Sequence, residues 1–563
     1  MSSATRPLAR RGLAVGAAVA LGAAAASPAY AAIVAGPASL SAPDAAVALT
    51  PLGTYETGVF DASAAEIVAF HARSQQLYSV DANVGEVNVI DQSDPSAPTL
   101  VGTLAVAGIV DASGAVIPEG SEANSVAVRD DGLVVVAVES ATKTDRGWLA
   151  FFDTDGDALG AVRVGAQPDM VTVTPDGRMA VTADEGEPND AYDVDPEGTV
   201  SVVTLPKKVA VPTQDAVRIA DFHAYEGDAL PDGVRVFAGI DGIDHPVSRN
   251  LEPEYVAVDA KSRTAYVTLQ EADAVAVVDL ASATVADVWS LGAKDLSIEG
   301  NGIDPSDKDG AIAIQTVPVK ALYQPDSIAT YTSRGTTYLV TANEGDSRDD
   351  WGDYEESVRI KDLGKDGVAP LCHGVLTSAQ LGNAALGRLT VSKASGLSAD
   401  GSCYEDLYAF GGRSFSIWTT DGTQVFDSGD DFERITAETL PAYFNSSNDG
   451  TEMDNRSDNK GPEPEGVTIG EIRGRTYAFV GLERIGGVMT YDITSPAAPS
   501  FVQYVNNRDF AADPESSAAG DLGPEGLAFI AAKDSPTGEA MVAVGNEVSG
   551  TTTTFSVTPT KQH

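Results

Sequence analysis

The chain is poor in the residues on which most catalytic centres are built. It has two cysteines and five histidines in 563 residues. It carries no G-x-S-x-G elbow, no HExxH pair and no phosphate-cradling P-loop. His71, His223, His245, His373 and His563 are scattered singly, and we read His71 and His563 as surface residues. Basic residues are scarce, 36 against 82 acidic ones, a formal net charge of −46. That balance excludes nucleic acid and anionic lipid as natural partners and favours divalent cations, which relieve self-repulsion. After residue 26 no apolar run approaches the ~20 residues that a membrane helix needs. Membrane insertion is therefore not expected, nor is an anchoring segment after the last repeat.

Arg6, Arg10 and Arg11, the apolar run Gly12 to Ala26 and the small-residue site Ala29-Tyr30-Ala31 read as a signal peptide over residues 1–31. The twin-arginine and ordinary export routes both fit. The expected mature protein is secreted and monomeric. In an oxidising compartment Cys372 and Cys403 are expected to pair and staple a long loop, since no CxxC spacing suggests a metal or redox site.

Laid on itself, the chain repeats. Leu77 to Asp91 aligns without a gap on Ala265 to Asp279, each reading as two short strands around a polar turn. A strand opening with Pro, an acid, any residue and an apolar residue precedes such units at Pro168-Asp-Met-Val, Pro253-Glu-Tyr-Val, Pro325-Asp-Ser-Ile, Pro464-Glu-Gly-Val and Pro524-Glu-Gly-Leu. Four short strands per unit without helical periodicity predict an all-β fold, a β-propeller. We count eight blades, starting near residues 64, 122, 167, 252, 324, 393, 462 and 522, with seven as the alternative. Leu49 to Thr54 is expected to supply the last blade's outer strand and so join the two ends. The reading is a short linker at 32–48, one propeller domain at 49–559 and long loops at 223–251, 293–323, 345–388 and 429–461.

In a propeller the start of each innermost strand and the end of the second strand meet at one mouth of the central channel. The first position reads Glu66, Asn124, Asp169, Glu254, Asp326, Ser395, Glu465 and Glu525; the second reads Asn83, Glu139, Glu185, Glu271, Glu344, Arg413, Glu483 and Glu547. Their ordinary role would be to accept backbone hydrogen bonds that lock neighbouring blades. The functional expectation is a metal site built from Asp169, Glu185, Glu254, Glu271, Asp326, Glu344, Asp346, Glu465, Glu483, Glu525 and Glu547, since converging carboxylates stay ionised only beside cations. Calcium suits an all-oxygen set. Arg348, Arg413 and Arg484 are expected to neutralise part of the ring and to contact a ligand. Further acid clusters lie at 184–190, 304–310, 344–350 and 454–460, and none meets the EF-hand template.

Gly53-Thr-Tyr-Glu-Thr-Gly-Val-Phe60, Ala183-Asp-Glu-Gly-Glu-Pro-Asn-Asp190, Asn301-Gly-Ile-Asp-Pro-Ser-Asp-Lys-Asp-Gly310, Ala342-Asn-Glu-Gly-Asp346, Tyr408-Ala-Phe-Gly-Gly-Arg-Ser-Phe-Ser-Ile-Trp418, Lys460-Gly-Pro-Glu-Pro-Glu-Gly466 and Gly481-Leu-Glu-Arg-Ile-Gly-Gly487 carry a resemblance. Through them the chain resembles the choice-of-anchor I domain family of secreted bacterial proteins, related to mesenchyme-specific cell-surface glycoproteins of biomineralising animals. The resemblance implies a propeller on secreted or surface proteins; members are often labelled alkaline phosphatase. Two functions follow as expectations. One is a calcium-binding module for a small-molecule, mineral-ion or phosphorylated ligand. The other is a phosphoester hydrolase in which the ring holds a second divalent or trivalent metal.

Overall fold

The computed structural model describes residues 33–236, 246–349 and 354–560. The segment read as a signal peptide, and His245, Asp350 and His563, lie outside the described residues. Among those described are seven sheets of four or five strands, all with antiparallel neighbours. Blade 1 comprises Val68–His71, Gln76–Asp81, Glu86–Asp91 and Thr99–Ala105. Blade 2 comprises Glu122–Val128, Val134–Glu139, Arg146–Phe152 and Ala158–Ala166. Blade 3 comprises Pro168–Val173, Met179–Asp184, Thr199–Thr204 and Val217–Ala220, and blade 4 comprises Pro253–Val258, Thr264–Leu269, Ala274–Asp279 and Thr284–Ser290.

Blade 5 comprises Ile328–Ser333, Thr336–Asn343, Ser414–Thr419 and Gln424–Asp427, and blade 6 comprises Pro464–Ile472, Arg475–Leu482, Val488–Asp492 and Ser500–Asn506. Blade 7 comprises Pro524–Ile530, Ala540–Asn546 and Thr551–Pro559, completed by Val47–Glu56 as its outer strand. Each innermost strand packs on the next, and Pro524–Ile530 packs back on Val68–His71, so the blades close into a propeller. The expected pairing of the two chain ends is present: Leu49 lies opposite Val557. Ala38–Ser41, in the stretch read as a linker, adds a fifth strand to blade 6.

Central strands are covered on both faces by neighbouring blades, which explains unbroken apolar runs such as Val134–Val138 and Trp148–Phe152, buried throughout. Bulky residues from adjacent blades fill the gaps, as where Trp148 and Phe152 pack with Tyr78 and Val80.

Among the described residues no blade forms near residue 393, and those described make seven blades rather than the eight expected. Ser414–Thr419 is instead the third strand of blade 5, paired to Thr336–Asn343 across the insertion 344–413. That insertion lacks a Pro-acid strand of its own. Its short strands pair elsewhere, Ser357–Arg359 with Thr390–Ser392, and Tyr408–Ala409 in parallel with Lys320–Leu322. With the loop 291–327 it builds a satellite core around Leu296, Ile360, Leu389, Val391 and Tyr404. Cys372 and Cys403 are disulfide-bonded there, Cα atoms 5.0 Å apart. His71, expected at the surface, is buried, with Nδ1 2.8 Å from Ser74 Oγ. Among the described residues no helix is long and apolar enough to cross a membrane.

Candidate functional site

The recurrent opening of the innermost strands places the acids. Gln167, Gln324, Glu463 and Gly523, each directly before the motif proline, adopt left-handed backbone with φ of 46°, 42°, 53° and 68°. Each turns its carbonyl oxygen to an amide leaving the second strand of its own blade: Glu185 at 2.9 Å, Gly345 at 3.0 Å, Glu483 at 2.9 Å and Glu547 at 2.8 Å. That bond brings the two predicted positions of a blade side by side. A bulge follows in four blades, between Pro168 and Val171, Pro253 and Val256, Pro464 and Val467, and Pro524 and Leu527. The bulged residues Asp169, Glu254, Glu465 and Glu525 are thereby turned out of the ladder into the channel.

Crowding at the axis explains the glycine of Pro-Glu-Gly. A Cβ at Gly466 would lie 1.8 Å from the Glu525 carbonyl oxygen, and one at Gly526 2.6 Å from that of Glu66.

Hydroxyls tie neighbouring blades here, joined by Glu344, whose Oε2 accepts from Gln270 Nε2 of blade 4 at 2.9 Å. Thr268 Oγ1 donates to the Asp326 carbonyl at 2.8 Å, Ser327 Oγ donates to the Glu465 carbonyl at 2.5 Å, and Ser125 Oγ accepts from the Val171 amide at 3.1 Å. Among the described residues no hydrogen bond reaches the carboxylates of Asp169, Glu254, Asp326, Glu465 and Glu525. Glu465 Oε2, Glu483 Oε2, Glu271 Oε2 and Glu525 Oε2 are buried without a partner.

Two cavities open on this ring. One, of about 560 Å³, is lined by Glu66, Asn83, Asn124, Asp169, Glu254, Asp326 and Glu525. The other, of about 550 Å³, is lined by Asp61, Glu344, Asp346, Asp449, Lys460, Glu465, Glu483, Arg484 and Glu547. Within the ring two carboxylate triads each bring one oxygen per residue within 4.8 Å of the others: Glu66, Glu525 and Glu547, and Glu344, Glu463 and Glu483.

The two triads differ in countercharge. In the second, Lys460 Nζ lies 2.7 Å from Glu344 Oε1 and 3.0 Å from Glu463 Oε2, and Arg484 forms ion pairs with Glu463 at 3.0 Å and Glu483 at 2.8 Å. Arg456 also holds Glu463 at 2.5 Å. These cations outweigh burial and hold the Glu463 carboxyl well below the usual range. Among the described residues no ion pair reaches the first triad. Burial, chiefly, pushes Glu66 up to about 8, with Glu547 and Asp169 adding to the rise. Burial and then Glu66 and Glu547 push Glu525 well up. The other predicted acids belong to the same field. Burial raises Glu185, Glu254, Asp326, Glu465 and Glu483, and pushes Glu271 and Asp346 to about 8 and Asp169 to about 7, with neighbouring carboxylates reinforcing each.

The arginines divide otherwise than expected. Arg484 reaches the mouth. Arg413 is 4% exposed, its guanidinium held by Glu433 and by the Asp304, Ser457 and Asn459 carbonyls. Arg348 is 1% exposed, bonded to Glu252 at 2.5 Å and to the Asn250 carbonyl at 2.8 Å. Both brace loops behind the ring rather than face a ligand. With no blade at 393, Ser395 and Arg413 also leave the ring. Glu66 is the additional ligand candidate; Lys460 and Glu463 are the site residues the repeat alignment missed. The doubled Pro462-Glu463-Pro464-Glu465 was the available signal, since the extra glutamate falls at the left-handed position.

A seven-bladed propeller with a carboxylate-lined mouth, half of it neutralised by the chain's own cations, is the class of protein that fold and site define. The choice-of-anchor I domain profile matches residues 66–496, and the chain belongs to that family. It is 30% identical over 283 residues to the mesenchyme-specific cell surface glycoprotein of Strongylocentrotus purpuratus, covering 44% of this chain and 36% of that protein. It is 29% identical over 187 residues to Gigasin-3a of Magallana gigas, covering 31% of this chain and 66% of that protein. Similar solved structures include the hydrazine synthase of Kuenenia stuttgartiensis (TM-score 0.43, 13% identity, 90% of this chain and 99% of that one). Another is the Cps50 (Swd1) β-propeller domain of Myceliophteria thermophila (TM-score 0.40, 10% identity, 91% and 100%).

Proposed function

We propose that this protein is a secreted calcium-binding propeller module whose cation is held by Glu66, Glu525 and Glu547 and presented at the channel mouth. The observation that carries the reading is the approach of these three carboxylates within 4.8 Å with no ion pair among the described residues. Two charges ~4 Å apart repel by roughly 1 kcal/mol in water and roughly 4 kcal/mol at an effective dielectric of ~20, so such a triad favours a cation or a proton. The donors are all oxygen, and calcium accepts six to eight oxygens in flexible geometry. The remaining positions are open to water, or to a mineral ion or phosphorylated ligand bridging to Arg484.

The hydrolase alternative requires two adjacent metals and free guanidinium groups. Lys460 and Arg484 fill the second triad, while Arg348 and Arg413 are engaged elsewhere, so the geometry favours binding over turnover.

Calorimetric titration of the metal-free protein with calcium tests this, alongside Glu525→Gln and a phosphomonoester assay with and without chelator. Calcium binding that is weakened at least tenfold in the variant, without turnover, is expected. Wild-type affinity in the variant sinks the assignment, and chelator-sensitive turnover replaces it with the hydrolase.

A further inference from the structure

The outermost strand of a propeller blade leaves one row of backbone N–H and C=O groups unpaired. Such an edge accepts another strand unless it is short, charged, interrupted by proline or covered. Among the described residues, six of the seven blades carry such a guard. The outer strand of blade 2 bears Arg163 and is bridged by Asp111. Those of blades 3 and 5 are four residues long and contain Arg218 and Asp427, and those of blades 4 and 7 contain Asp287 and Pro51. In blade 6 the edge is covered, since Ala38–Ser41 pairs with Gln503–Asn506.

Blade 1 has none of these. Its outer strand, Thr99-Leu-Val-Gly-Thr-Leu-Ala105, runs seven residues without charge or proline. Among the described residues it pairs only with Glu86–Asp91, and no other backbone hydrogen bond reaches it. Leu100 and Val101 are 45% and 55% exposed, and a Cβ at Gly102 would meet nothing within 4 Å. The covered blade supplies the template. Both outer strands bulge at the same place, at Val101 in blade 1 and Val502 in blade 6, so residues 102–105 stand in their sheet where 503–506 stand in theirs. Gln503–Asn506 holds a fifth strand on its outer side; Gly102–Ala105 presents the same backbone row to solvent.

We propose that the outer strand of blade 1 is a docking edge for an extended segment of a partner protein, added as a fifth strand and carrying both apolar and basic residues. Backbone bonds would supply the affinity, as in strand addition generally, and alternate side chains the selectivity. Apolar residues of the segment would cover Leu100 and Val101. The basic residues follow from the rim. A groove of about 150 Å³ beside the strand is lined by Val101, Gly102, Thr103 and Leu104 together with Asp153 and Asp155. Asp153 Oδ1 accepts the amides of Asp155 and Asp157 at 3.0 Å, and among the described residues no ion pair reaches either groove carboxylate. A second copy of this chain would bring the same two acids, and a net charge of −46, against this rim, so charge disfavours self-pairing.

The test uses the full protein and the blocked peptide Lys-Val-Thr-Val-Thr-Val-Lys, with its glutamate-ended counterpart as control. The lysine peptide should bind and slow amide exchange over 100–105 at least several-fold. Binding should be at least tenfold weaker for the glutamate peptide and for the variant Val101→Lys, whose new charge sits at an exposed position of the edge. Absence of protection at 100–105 in the wild-type protein overturns the docking edge, whatever the variant does, and also separates this edge from peptide held at the acidic mouth. Equal affinity for the two peptides overturns the basic partner. Sedimentation without peptide completes the test: a dimer that Val101→Lys abolishes would replace the partner with a second copy. None of these outcomes bears on calcium at the mouth.

Discussion

Lys460 Nζ donates to Glu344 Oε1 at 2.7 Å, across the interval between blades 5 and 6. The same ammonium reaches Glu463, the residue whose left-handed backbone starts the innermost strand of blade 6. A positive side chain thus occupies the place in this half of the ring that a bound cation would take in the other half.

Replacing that lysine should expose the difference. Lys460→Met leaves Glu344 and Glu463 without their ammonium, and breaking a buried pair typically costs about 3–5 kcal/mol. Thermal unfolding in chelator should show a large loss of stability, part of it restored by calcium as the second triad becomes a cation site. Equal loss with and without calcium would argue against the two halves being equivalent in geometry.

Substitutions in the first triad should behave oppositely. Glu525 accepts no protein hydrogen bond among the described residues, so Glu525→Gln removes repulsion and no contact. The metal-free variant should melt at or above the wild-type temperature at pH 8, while its calcium-induced stabilisation shrinks. Calorimetric melting with chelator and with calcium reads both effects.

Stability of the metal-free protein should fall as pH rises. Glu66, Glu271 and Asp346 are pushed up to about 8 and Asp169 to about 7, against roughly 4 for carboxyls in the unfolded chain. Between about pH 4 and pH 8 the folded state therefore holds more protons than the unfolded state, so stability declines through that window and levels off above it. Melting in chelator should occur at a higher temperature at pH 5 than at pH 8. Calcium should raise the melting temperature most at pH 8, where proton competition is least.

The disulfide should matter locally. Cys372 and Cys403 close a loop over a sequence separation of 31, for which chain entropy predicts roughly 3–4 kcal/mol. That constraint lies in the satellite core, outside the blades. Reduction, or a double Cys→Ser replacement, should open residues 360–405 to proteolysis while the propeller strands stay protected. Uniform loss of protection would show that insertion and propeller unfold as one unit.

Gly466→Ala tests the crowding at the axis. Its Cβ would meet the Glu525 carbonyl at 1.8 Å, a contact with backbone that cannot swing aside. Both stability and calcium affinity should drop, because the displaced strand carries Glu525, one of the glutamates proposed to hold the cation. Retention of wild-type affinity would separate the strand's position from the site.

The blades, the closure and most of the ring were legible because propeller geometry is local. A period-2 apolar pattern and a Pro-acid strand start specify the innermost strand and the residue it turns inward, whatever surrounds it. The eighth blade was misread because short apolar stretches such as Thr390–Ser392 and Tyr408–Ala409 look like strands in any sheet. Their partners, distant in sequence, decide which sheet they join. The arginines failed for a similar reason. A guanidinium in an acidic loop has many carboxylates within chain reach, and only packing selects Glu433 for Arg413 and Glu252 for Arg348.

By itself, the sequence determined an acidic all-β repeat protein, the pairing of its two ends, and the residue types that meet at the channel mouth. Strand period, turn chemistry and composition act over a few residues, and repetition multiplies them. Tertiary structure alone decided that the described residues form seven blades and that Lys460 neutralises one triad. Those facts depend on long-range contacts between insertions, where desolvation and Coulomb energy change steeply over a few ångströms and chain spacing carries no such information.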